Sequence, residues 1–152
     1  MNYTKKISIT LIAILFSIGC YAFPIDKVQA NNILIRTNRV IGHAHMSIKK
    51  GGNLTGDFAK AVHHERVAKS LFKSGEYEKA IYHSRLARIL ATQAIKANKV
   101  KLPMDASFSP AEMQLFQDSP SNEELTKEAA AKDTEVLQDK DLLNGNLDID
   151  LK

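Results

Sequence analysis

Apolar residues along this chain return at intervals of three and four, the period of a helix that buries one face. Over about 35–49, Val40, Ile41, Ala44 and Ile48 form one stripe. "KKGGN" then ends it, with Gly51 or Gly52 free to take the left-handed conformation that closes a helix. Over about 57–73, Phe58, Ala61, Val62, Ala68, Leu71 and Phe72 line one side, and Thr55 or Asp57 can accept from the first free amides. Over about 76–98, Tyr77, Ala80, Ile81, Ser84, Ala87, Ala91, Ala94 and Ile95 repeat the pattern. Only "SG" at 74–75 separates the last two stretches, and so short a link makes antiparallel neighbours. No sustained alternation of period two appears. The prediction is an all-α fold, a three-helix bundle over 33–100.

The pattern thins downstream. "SPAEMQLF", 109–116, has Ser109 as cap, Pro110 at the first helical position and Glu112 three on, the signature of a capping box. Met113, Leu115 and Phe116 give it an apolar side, so a short docking helix is expected. "SNEELTKEAAAK", 121–132, repeats the device with Ser121 and Glu124, but Leu125, Ala129 and Val136 are too few to bury well. "DKDLLNGNLDIDLK" then alternates Leu, Asp and Ile. Its Asp148 and Asp150 lack the glycine and distal Glu of a calcium-binding EF-hand loop. Residues 101–152 therefore read as an acidic, partly helical tail, solvated by default.

The N-terminus sets a compartment. Lys5 and Lys6 precede "ISITLIAILFSIG", 7–19, which is too short for a bilayer core needing about 20 residues. A charged start, a short apolar run and small residues describe a secretory signal over 1–22. Cleavage after Ala22 fits a general signal peptidase. Cleavage before Cys20 fits a bacterial lipoprotein lipobox, with Ser17 where that motif prefers Leu. Cys20 is the sole cysteine, so the mature domain holds either no thiol or a lipidated one. The expected location is the periplasm, or the membrane through a lipid on Cys20.

Charge divides what remains. Phe23 to Lys101 carries fifteen Lys and Arg against five Asp and Glu, and Leu102 to Lys152 carries four against twelve. A body of net +10 and a tail of net −8 suggest separate partners, or each other. Lys69, Lys73, Arg85 and Arg88 give the hairpin a basic surface. The apolar side of 109–116 would dock, and the acids after Asp118 would lie loosely over that surface. Stacking aromatics at regular spacing are missing, so nucleic acid is not expected. A protein or an anionic envelope component is.

"SGEYEKAI" followed by Ala87 resembles the middle of a tetratricopeptide unit, with Gly75 at the inter-helix turn, Tyr77 opening the second helix and Ala80 and Ala87 at the close crossing. The resemblance spans Ala61 to Ala94, departs at Thr92 where the family usually has Pro, and has no second copy on either side. It implies one hairpin rather than a solenoid. The same stretch more weakly resembles the helical core of HEPN domains, which include RNases. Their Arg–His pairs would correspond to Arg39 with His45 or Arg36 with His43, but those precede the hairpin where the family's pair follows it.

Other chemistry is sparse. His43, His45, His63, His64 and His83 all lie in the body. Neighbours 63 and 64 diverge by about 100° on a helix, and no HxxxH or HExxH pair occurs. A metal would need one imidazole from each helix: His45, His64 and His83. Glu65 falls on the apolar side of the second helix and calls for a partner, with Arg85 or His64 as candidates. No glycine-rich phosphate loop and no GxSxG is present. The expected function is a non-catalytic, exported binding or interaction protein without cofactor. The alternatives are a periplasmic metal-binding protein and, more remotely, a HEPN-type RNase.

Overall fold

The computed structural model describes residues 25–132 and 137–151. The expected signal segment, Cys20, both expected cleavage points and Val136 lie outside them. The described residues form helices α1 (Lys27–Gly51), α2 (Asp57–Lys73), α3 (Tyr77–Ala97), α4 (Pro110–Leu115), α5 (Asn122–Lys132) and α6 (Asp139–Leu142), with a 3-10 turn at Met104–Ala106 before α4. No strand occurs among them, and no helix is long and apolar enough to cross a membrane.

The first helix starts earlier than the apolar stripe alone implies. Asp26 caps it: its carboxylate accepts from the Gln29 amide at 2.8 Å, and the Gln29 side chain accepts from the Asp26 amide at 3.2 Å. Ala30, Ile33, Leu34 and Thr37 extend the buried face backward from Val40. Gly52 ends α1 with φ 71°, its amide donating to the Ile48 carbonyl at 2.7 Å. Gly75 makes the α2–α3 turn at φ 82°, where a side chain would be strained. Ala80, Ala87, Ala91 and Ala94 are fully buried along α3, which lets α2 and α3 approach closely. α1 and α2 each pack more closely on α3 than on each other.

The described part of the acidic tail is anchored on the body rather than loose in solvent. Leu125 and Ala129 are 1% and 0% exposed. Burying one leucine contributes about 1.5–3 kcal/mol, enough to hold an eleven-residue helix too short to be stable alone. Leu142 and Ile149 join the core with Val40, Ile41 and Phe58. α4 docks differently from its apolar pattern: Phe116 is buried, but Met113 is 56% exposed and the residue that inserts deepest is Glu112.

The tail also completes the body. The N-cap position of α2 is Gly56, which has no side chain to give; beside it Thr55 Oγ1 accepts from the Asp57 amide at 3.3 Å, as expected, and donates to the Asp57 carboxylate at 2.9 Å. Asp139 supplies the cap from α6, its carboxylate accepting from the Gly56 and Ala59 amides at 2.7 Å each.

Candidate binding groove

The four residues expected to form a basic surface part company. Arg88 is fully buried. It sits on the stripe through Ser84, Ala91 and Ile95, so helical spacing turns it inward. Its guanidinium donates to Thr37 Oγ1 at 3.1 Å, the Ile33 carbonyl at 3.0 Å and Glu112 Oε1 at 2.9 Å, and lies 4.8 Å from the Phe108 ring centre. Arg36 meets the other oxygen of Glu112 at 2.7 Å and Asp105 at 3.0 Å, and Arg39 reaches Asp105 at 3.5 Å. Burial alone would raise the Glu112 pKa. The Ser109 amide, Arg88 and Arg36 outweigh it and hold the carboxyl below its ordinary value. Arg85 faces α5, near Asn122 Oδ1 at 3.4 Å and Ser119 Oγ at 3.5 Å.

Lys69 and Lys73 remain on an outer face of α2, one turn apart, with Arg66 and Ser70. Together with Asp148 they line a groove of about 550 Å³. The segment 147–151, which lies in no helix, runs along it. Arg66 Nε donates to the Leu147 carbonyl at 3.0 Å, Lys69 Nζ to the Asp148 carbonyl at 3.1 Å, and Asn38 Nδ2, from α1, to the Ile149 carbonyl at 2.9 Å. Lys69 also pairs with the Asp148 carboxylate at 2.5 Å, which keeps that carboxyl below its ordinary pKa. Leu147, Ile149 and Leu151 pack on the core while Asp148 and Asp150 stay exposed. Lys73 makes no hydrogen bond or ion pair within the described residues.

The histidines are divided as well. His64 and His83 meet, Nδ1 to Nδ1, at 3.1 Å inside the α2–α3 interface. His83 Nε2 lies 3.5 Å from Glu128 Oε2 on α5. A proton on His64 Nδ1 and another on His83 Nε2 satisfies this geometry, since a carboxylate can only accept. Burial, then the neighbouring imidazoles of His83 and His63, lowers His64 to about 3. Burial also lowers His83, against the pull of Glu128. His45 is elsewhere: it stacks on Phe58, ring centres 5.5 Å apart, and its Nε2 lies 2.9 Å from the Leu143 carbonyl. The expected three-imidazole set is thus not assembled, because His45 faces the tail beyond α6. Among the described residues no group of three or more His, Cys, Asp or Glu side chains is placed to hold a metal ion. His43 is exposed.

Glu65 has neither expected partner. Its carboxyl is fully buried with both oxygens unbonded, and burial raises its pKa to about 8, with Ser84 and Arg88 acting in the opposite sense. The sequence reading missed Arg66, Asn38 and the segment from Leu147 to Leu151 as one site. The alternation in "LDIDL" was its visible signal.

No protein-family model, curated protein or solved structure matches the chain.

Proposed function

We propose that this is a non-catalytic binding protein, exported to the cell envelope, that recognises an acidic partner through the groove along the outer face of α2. The observation that supports the reading is the grip of Asn38, Arg66 and Lys69 on three consecutive carbonyls and one carboxylate. Such a set of donors suits an acidic ligand, and Lys73 adds a cation in the same groove. A metal-binding role would rest on His64 and His83 without His45. The RNase reading would rest on Arg36 and Arg39, both paired with tail carboxylates.

The N-terminal signal directs the protein to the periplasm, or to the membrane through a lipid on Cys20. The mature chain then begins at Phe23 or Cys20. Mass spectrometry of the purified protein tests this, and an intact Met1 in a cytoplasmic fraction overturns it. The groove is tested by carbodiimide cross-linking in intact envelopes. The parent is expected to give adducts that Lys69→Glu with Lys73→Glu loses. Identical adducts from both proteins would overturn the reading.

A further inference from the structure

We infer that Leu147–Leu151 is an internal stand-in for the partner: the groove binds an extended peptide segment of another protein, with apolar residues at alternate positions and carboxylates between them. The chain's own segment keeps the groove shut until such a peptide displaces it. The inference rests on the acidic-partner reading above and names the partner's chemistry.

The grip on the segment has the form of peptide recognition. Side chains of α1 and α2 hold successive main-chain carbonyls, a mode indifferent to side-chain identity. Alternate side chains supply selectivity: Ile149 enters the core, Leu147 and Leu151 pack against it, and Asp148 meets Lys69. Asn38, Arg66 and Lys69 lie on helices that are far from the segment in sequence, so the site belongs to the bundle and the segment is its occupant.

The fit is incomplete. Asp148 has φ 52°, a backbone conformation that non-glycine residues adopt at a cost. Its side chain is 72% exposed against 14% for Lys69. The groove beside it keeps about 550 Å³, and Lys73 lines it without a hydrogen bond or ion pair to the described part of the segment. A second space of about 400 Å³ adjoins Leu151, lined by Lys27, Asn31, Phe72, Lys73 and Tyr77. A partner peptide carrying a carboxylate past the position of Leu151 would meet Lys73 and Lys27 there. It must also outcompete a tethered rival, whose effective concentration is of the order of millimolar for a short flexible linker.

A fluorescein-labelled synthetic peptide of residues 144–152 is the probe, read by anisotropy. It is titrated into the mature protein, a chain ending at Gly145, and a full-length chain with Asp148→Lys and Ile149→Asp. The two altered chains are expected to capture the probe at least tenfold more tightly than the parent. Adding Lys69→Glu to either is expected to abolish capture, as is Asp148→Lys within the peptide. If the shortened chain loses its helical circular dichroism, the full-length variant decides. If both lose it, the segment is core and the proposal is overturned. Equal capture by all three chains, or capture indifferent to Lys69→Glu, also overturns it. So does a parent dimer by sedimentation that becomes a monomer on shortening, since a second copy's segment would then fill the groove. Envelope cross-linking lost in the lysine variants without any peptide capture would leave the acidic partner standing and dismiss the peptide.

Discussion

Asp139 is a single carboxylate that serves two amides on a helix far away in sequence. An N-cap acid replaced by alanine typically costs about 0.5–2 kcal/mol. Asp139→Ala should fall at the upper end, because the site is 2% exposed and water replaces the carboxylate poorly. Thermal denaturation checks this, and a melting temperature equal to the parent's would show that α2 does not need the cap. Glu65 makes the opposite contribution. Its folded pKa of about 8 lies above the ordinary 4.5, so between those values the folded chain holds a proton that the unfolded chain releases. Stability therefore falls as pH rises from about 4.5 to about 8. Glu65→Gln should remove that decline and melt higher than the parent at pH 8, measured by calorimetry across the range.

At the scale of elements, the α2–α3 hairpin depends on small residues at its crossing. Ala80→Leu should overpack it and cost about 1–3 kcal/mol, read as a fall of several degrees in melting temperature with helicity retained. This hairpin was legible because Ala80, Ala87, Ala91 and Ala94 mark the period directly, and the turn at Gly75 leaves one geometry. The capping boxes of α4 and α5 were legible for the same reason, since Ser109–Glu112 and Ser121–Glu124 are local. The start of α1 was missed although Asp26 and Gln29 form a local box too; the apolar stripe was given more weight than the cap. What could not be read locally was how α4 docks. Glu112 is drawn in by Arg88 and Arg36, and a charge buried against a charge leaves no trace in hydrophobic periodicity. The site was half legible: Lys69 and Lys73 were named, while Arg88 was placed outside because its charge was weighed above its position on the α3 stripe. The burial of Leu125 and Ala129 escaped because two apolar residues suffice when the body already presents a surface for them.

For the whole molecule, charge and acid response follow from how the tail is built in. The −8 tail covers the +10 body through particular pairs, Glu112 with Arg88 and Arg36, Asp105 with Arg39, and Asp148 with Lys69. Acid acts on the histidine pair. His64 is near 3 when folded against an ordinary 6.5, so below about 6.5 the unfolded chain takes up a proton that the folded chain refuses. Stability drops as pH falls from 6.5 toward 3, and the lowered pKa of Glu112 adds to the drop below the ordinary carboxylate range. His64→Gln should flatten the fall between pH 6 and pH 4, followed by the denaturant midpoint at each pH; a parent-like slope would assign the acid sensitivity elsewhere. The cap on α2 carries a further meaning, one of timing. The helix is spelled out early in the chain, but the carboxylate that finishes it is spelled out near the end. A ribosome that has delivered all three long helices has not yet delivered the residue that closes the second. Until the tail arrives, the amides of Gly56 and Ala59 lack that carboxylate. If the chain is exported as proposed, that order would leave the second helix without its last cap until the tail has been made.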